Sequence, residues 1–143
     1  MSRAKVMVVE DDIDVREFLR DALKILHEVT EARNGVAAFK YFDDGYRPDA
    51  IVTDLVMPRM DGMTMVDRIR ETDWGTQTPI IILTGVTAND DIPAHVWKEG
   101  TKADLFMEKP IEIEELFDAI DRLIKKRKNF TPLEPGTGSY DDE

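Results

Sequence analysis

A chain of 143 residues with 42% hydrophobic and 34% charged side chains can bury one core and is too apolar for wholesale disorder. It contains no cysteine, which excludes disulfides and thiolate metal sites and fits a reducing cytoplasm. The formal net charge of −11 repels nucleic acid phosphate at long range, so direct nucleic acid binding by this domain is not expected.

The first element, Lys5 to Val9, reads as a buried strand, and Glu10-Asp11-Asp12 stops its apolar run at once. That run is too short for the apolar region of a signal peptide, and no later stretch approaches a membrane span. Val15, Phe18, Leu19, Ala22, Leu23 and Leu26 follow at spacings of three and four, the apolar stripe of a helix. A weaker strand covers His27 to Ala32, Asn34-Gly35 marks a turn, and Ala38, Phe39 and Phe42 line a second helix. Gly45 to Pro48 breaks the chain before a third strand, Ala50 to Asp54.

A third helix after Asp61-Gly62 buries Met65, Val66 and Ile69, with Met57, Met60 and Met63 padding the adjoining loop. The strongest strand is Ile80 to Thr84. A short helix is expected from Ile92 to about Glu99, capped by Asp91, and a fifth strand from Asp104 to Met107. The last helix carries Ile113, Leu116, Phe117, Ile120, Leu123 and Ile124. It ends in Lys125-Lys126-Arg127-Lys128, cations that complement the negative end of its dipole rather than form a nucleic acid patch. Residues 1–128 read as one domain, and 129–143, rich in Pro, Gly and acidic residues, as a disordered tail or the start of a linker.

Strands alternating with helices imply right-handed βαβ units and a parallel sheet covered on both faces. Ligands of such sheets bind beyond the carboxyl ends of the strands. Those ends carry Glu10-Asp11-Asp12, Asp54, Thr84-Gly85 and Glu108-Lys109-Pro110, so carboxylates, a hydroxyl and an ammonium converge at one edge. Clustered carboxylates repel one another, and a hard cation with oxygen ligands relieves that repulsion. A carboxylate nucleophile beside such a cation and a lysine suits phosphoryl transfer, where positioning and electrostatics supply most of the catalysis.

Four stretches carry a resemblance to the response-regulator receiver family over roughly residues 4–127. They are Val8-Val9-Glu10-Asp11-Asp12, Asp54-Leu55-Val56-Met57-Pro58-Arg59-Met60-Asp61-Gly62, Pro79-Ile80-Ile81-Ile82-Leu83-Thr84-Gly85 and Lys109-Pro110. The resemblance implies a (βα)5 doubly wound, flavodoxin-like sheet of strand order 2-1-3-4-5. It implies Asp54 as phosphoacceptor and Mg²⁺ (or Mn²⁺) held by Asp11, Asp12, Asp54 and the backbone carbonyl of Val56. Thr84 is then expected to bond a phosphoryl oxygen and Lys109 to pair with the phosphate. The peptide before Pro110 is expected to be cis, and Phe106 matches an aromatic switch position.

A histidine kinase or histidine phosphotransfer protein is the expected donor, docking near the first helix. A downstream protein, an output domain or a second copy is expected on the face of the fourth helix, fifth strand and fifth helix. No enzymatic activity is expected beyond the domain's own phosphorylation and dephosphorylation. Valines at 56 and 86 flank the path of hydrolytic water in the family and cannot orient it, which predicts slow loss of phosphate.

Each residue also has a structural reading: Asp11 or Asp12 as a helix cap, Asp54 as a turn acid, Thr84 as a β-branched strand residue, Phe106 as core. A binding module indifferent to phosphate is one rival. An aspartate-nucleophile phosphatase is another, but Asp54 is followed by Leu55-Val56 instead of a second acid. A flavin carrier lacks its phosphate loop, because Asp11-Asp12-Ile13-Asp14 repels phosphate. A chain complete as given acts through protein contacts alone, whereas a fragment continues after Asn129 into an output domain.

Overall fold

The computed structural model describes residues 3–57, 59–85, 102–127 and 132–133. Five strands, β1 (Lys5–Val9), β2 (Glu28–Ala32), β3 (Ala50–Asp54), β4 (Ile80–Thr84) and β5 (Leu105–Glu108), form one sheet. All neighbours run parallel, in the order β2-β1-β3-β4-β5. The described helices are α1 (Ile13–Leu23), α2 (Gly35–Asp43), α3 (Gly62–Arg70) and α4 (Ile113–Lys126), the last being the fifth helix of the sequence reading. The helix expected over 92–99 lies outside the described residues, with His95, Trp97 and Val86.

Period-two alternation sends successive strand residues to opposite faces, and both faces are buried. Met7, Val9, Ile51, Ile80 and Ile82 pack on one side beneath α2 and α3. Val6, Val8, Val52, Ile81 and Leu83 pack on the other with Leu19, Leu23, Leu116 and Ile120 of α1 and α4. Met57 and Met60 are not loop padding: both are buried with Met65 in the first of these layers.

The strand ends opposite the acidic edge are locked by polar contacts that no local pattern signals. Asp49 accepts the Lys5 N–H at 2.8 Å and pairs with Arg127 Nη2 at 2.7 Å, so the C-cap cation of α4 is engaged by the fold. Arg70 donates to the carbonyls of Gly75, Thr78 and Lys102 and pairs with Asp104, whose carboxylate also accepts the Ile80 N–H. His27 belongs to the turn before β2, where its Nδ1 accepts the Ala4 N–H at 3.1 Å. That puts it one strand length, roughly 17 Å, from the acidic edge. Trp74 anchors its loop, packed on Phe42 with Arg47 stacked over its ring. In the tail, the Leu133 N–H donates to the Arg3 carbonyl at 3.0 Å, so this part of it touches the domain.

Candidate functional site

The carboxyl edge of the sheet brings together residues from four strand ends. Asp54 ends β3 and is 9% exposed. Its Oδ1 accepts the Leu55 N–H at 2.9 Å and lies 3.2 Å from Lys109 Nζ. Two donors on one oxygen fix the carboxylate's orientation, while Oδ2 receives none from the described residues. The same Lys109 Nζ lies 3.1 Å from Glu10 Oε1, so one ammonium bridges two buried carboxylates. The Lys109–Pro110 peptide is cis, as expected.

Glu10, one of the carboxylates at this edge, has no role in the ligand set that the resemblance implies. It is 1% exposed, and carboxylate oxygens of Glu10, Asp11 and Asp54 lie within 4.8 Å of one another. The paired register Val8↔Val52 and Val9↔Thr53, carried one residue further, sets Glu10 beside Asp54. Counting by twos from Val8 and Val52 was the available signal, because a shift of one residue turns a side chain to the other face.

Of the expected pair Asp11 and Asp12, only Asp11 lies in this carboxylate cluster, where Glu10 is its neighbour. Asp12 is the N-cap of α1, its Oδ1 accepting the N–H groups of Asp14 and Val15 at 2.9 and 3.2 Å. This satisfies donors that a helix start cannot pair internally, and it turns the carboxylate away from the cluster.

Burial pushes the Glu10 carboxyl up to about 7, and the charge of Asp54 adds to the effect. The Asp12 N–H and Lys109 hold it back only in part. Burial also opposes the charge on Lys109, but Asp54 and Glu10 outweigh it and raise its pKa above the ordinary lysine value. With all three carboxylates ionised against one ammonium, the edge is two charges negative. An all-oxygen donor set of this charge fits a hard divalent cation.

Thr84 ends β4, is 3% exposed, and its carbonyl accepts the Lys109 N–H at 2.8 Å, tying the two strand ends together. Val56, two residues after Asp54, is 60% exposed. Phe106 is half-buried against the α2–α3 layer, opposite Ile82 in register. Val86, the other position tied to phosphate lifetime, lies outside the described residues.

The model of the response regulator receiver domain matches residues 6–121. The chain belongs to this family. It is thus a receiver domain of two-component signalling. Among curated relatives, response regulator MprA of Mycobacterium leprae is 34% identical over 139 residues, 96% of this chain and 58% of that protein. MprA of Mycobacterium ulcerans is 36% identical over 125 residues, covering 87% and 51%. The chain thus spans little more than half the length of these relatives.

Solved structures agree on the receiver fold. The receiver domain of a signal transduction histidine kinase from Syntrophus aciditrophicus superposes with a TM-score of 0.78 at 27% identity, covering 92% of this chain and 97% of that one. The receiver domain of a Pseudomonas aeruginosa sensor histidine kinase, with a magnesium ion coordinated in its active site cleft, gives 0.74 at 26% identity, covering 87% and 99%. The chemotaxis response regulator CheY4 of Vibrio cholerae gives 0.73 at 28% identity, covering 85% and 99%. No helix among the described residues is long and apolar enough to cross a membrane.

Proposed function

We propose that this receiver accepts a phosphoryl group from a phosphohistidine onto Asp54 and thereby changes its protein contacts. The observation that carries this reading is the fixed Asp54 carboxylate, with Oδ1 held by Leu55 and Lys109 and Oδ2 turned to neither. In the reaction Oδ2 attacks phosphorus and the P–N bond of the donor breaks. Its electron pair returns to the imidazole, and the product is an acyl phosphate on Asp54. Lys109 would then sit beside the added charge, and the Thr84 hydroxyl would donate to a phosphoryl oxygen.

Glu10, Asp11, Asp54 and the Val56 carbonyl would hold Mg²⁺ (or Mn²⁺), which when bound supplies positive charge to the phosphoryl oxygens. The acidity of the cluster supports this: without a counter-charge beyond Lys109 it would repel an incoming phosphoryl group. This domain would catalyse only its own phosphorylation and dephosphorylation.

For the donor, the apolar side chains of Ile13 and Phe18 are exposed on α1. Phe18 lines a groove of about 400 Å³ with Val15, Leu19, Lys109, Pro110 and Ile111, next to the proposed phosphoacceptor. A histidine kinase or phosphotransfer helix docked there would bring its histidine to Asp54. For output, the β5–α4 face carries Glu108, Glu112, Glu115 and Asp118 against one cation, Arg122, around a second groove, an acidic excess that favours a cationic surface on the downstream partner. Phosphorylation would reach that face through Thr84 and Phe106, and it acts as a switch only if partner affinity differs between the two states.

Incubation with acetyl phosphate and Mg²⁺, followed by intact-mass measurement, tests the reading. Wild type is expected to gain one phosphoryl group and Asp54→Ala none. Phosphate uptake by Asp54→Ala would overturn it.

A further inference from the structure

Asp11 is the exposed member of the carboxylate cluster, and its side chain makes no hydrogen bond or ion pair with the described residues. Its position is therefore set by the two peptides that carry it. The Asp11–Asp12 peptide is held through its N–H, which donates to Glu10 Oε2 at 3.1 Å. The Glu10–Asp11 peptide is held, among the described residues, by one side chain. Arg16, in the first turn of α1, folds back over the β1–α1 loop, and its Nη1 donates to the Glu10 carbonyl at 2.9 Å. Helical side chains lean toward their own N-terminus, which gives Arg16 this reach.

The guanidinium is itself anchored. Its Nε pairs with Glu31 Oε1 on β2 at 3.3 Å, and Glu31 Oε2 takes Arg20 Nη1 at 3.3 Å. The Glu10 N–H donates to the Ala32 carbonyl on the same strand at 3.0 Å. Both backbone groups of Glu10 are thus tied back to β2, one directly and one through Arg16. A planar guanidinium offers donors in a rigid fork, which suits it to serving a carbonyl and a carboxylate at once.

We infer that Arg16 is a positioning residue for divalent-cation binding, acting through the Glu10 carbonyl to set where the Asp11 carboxylate stands. This rests on the reading of Glu10, Asp11 and Asp54 as the Mg²⁺ site. Groups that orient metal ligands from behind commonly carry about 10- to 100-fold in affinity.

The test is titration with MgCl₂ alone, followed by ¹H–¹⁵N amide shifts, in wild type, Arg16→Met, Arg16→Lys and Arg20→Ala. Arg16→Met keeps the aliphatic stem and removes the donors. It is expected to weaken Mg²⁺ binding by about tenfold or more, while Arg16→Lys, which keeps a cationic donor without the guanidinium fork, recovers part of the loss. Arg20→Ala breaks the neighbouring ion pair to the same Glu31 without touching Glu10, and is expected to bind Mg²⁺ as wild type does. Thermal melts in chelator separate binding from folding. If Arg16→Met does not fold, a wild-type affinity for Arg16→Lys together with a tenfold loss in Arg20→Ala still overturns the inference. Equal affinity in wild type and folded Arg16→Met overturns it alone. Wild type that takes up no Mg²⁺ overturns the metal site and this inference with it.

Discussion

A Cβ added at Gly62 would stand 2.5 Å from the carbonyl oxygen of Asp54, closer than packed atoms tolerate. Gly62 opens α3, directly after its N-cap Asp61, and its N–H donates to the Leu55 carbonyl at 2.8 Å. The helix start thus rests on the backbone that presents the proposed phosphoacceptor, and only a hydrogen fits between them. Gly62→Ala is expected to cost about 1–3 kcal/mol of stability through overpacking against main chain. Urea unfolding checks this, and an unchanged midpoint would refute the close approach.

Asp11 and Asp12 are adjacent but should separate cleanly on mutation. Asp12→Ala removes the α1 cap and is expected to cost about 0.5–2 kcal/mol, yet to keep the stabilisation that Mg²⁺ gives the folded state. Asp11→Ala is expected to leave stability in chelator near wild type and to abolish the Mg²⁺-dependent rise in Tm. The reverse pattern would restore Asp12 as the ligand.

The exposed Val56 side chain, two residues after Asp54, cannot hydrogen-bond a water, so the phosphorylated protein is expected to lose its phosphate slowly. Val56→Asn supplies a polar group at that position and should shorten the lifetime several-fold. The decay of the phosphorylated form after removal of acetyl phosphate measures it. A wild-type lifetime of a few seconds would contradict the expectation.

His27 gives a pH dependence of definite sign. Burial holds its pKa below the ordinary 6.5, against a weaker opposing pull from Asp121 and Asp49. As pH falls through about 6.5 the unfolded chain therefore binds a proton before the folded one does. Stability from this group is present above that pH and is lost on acidification toward the depressed folded value. His27→Asn, which keeps an acceptor for the Ala4 N–H, is expected to flatten this part of the profile. The difference between the two proteins, followed by urea unfolding from pH 8 to 5, isolates it from Glu10.

The chain order of strands and helices, and the gathering of Asp54, Thr84 and Lys109 at one sheet edge, were legible in the sequence. Apolar periodicity is a local property, and strand ends follow from it. The order β2-β1-β3-β4-β5 came instead from the family resemblance, since periodicity does not say which strands are neighbours. Among Glu10, Asp11 and Asp12, composition alone could not choose. Register against β3 turns Glu10 toward Asp54, and the α1 start claims Asp12 as its cap. Arg16 on the Glu10 carbonyl, Gly62 against Asp54 and Asp49 beneath Arg127 join residues far apart in the chain or on different elements. Such contacts depend on how the elements pack, so the tertiary structure alone decided them.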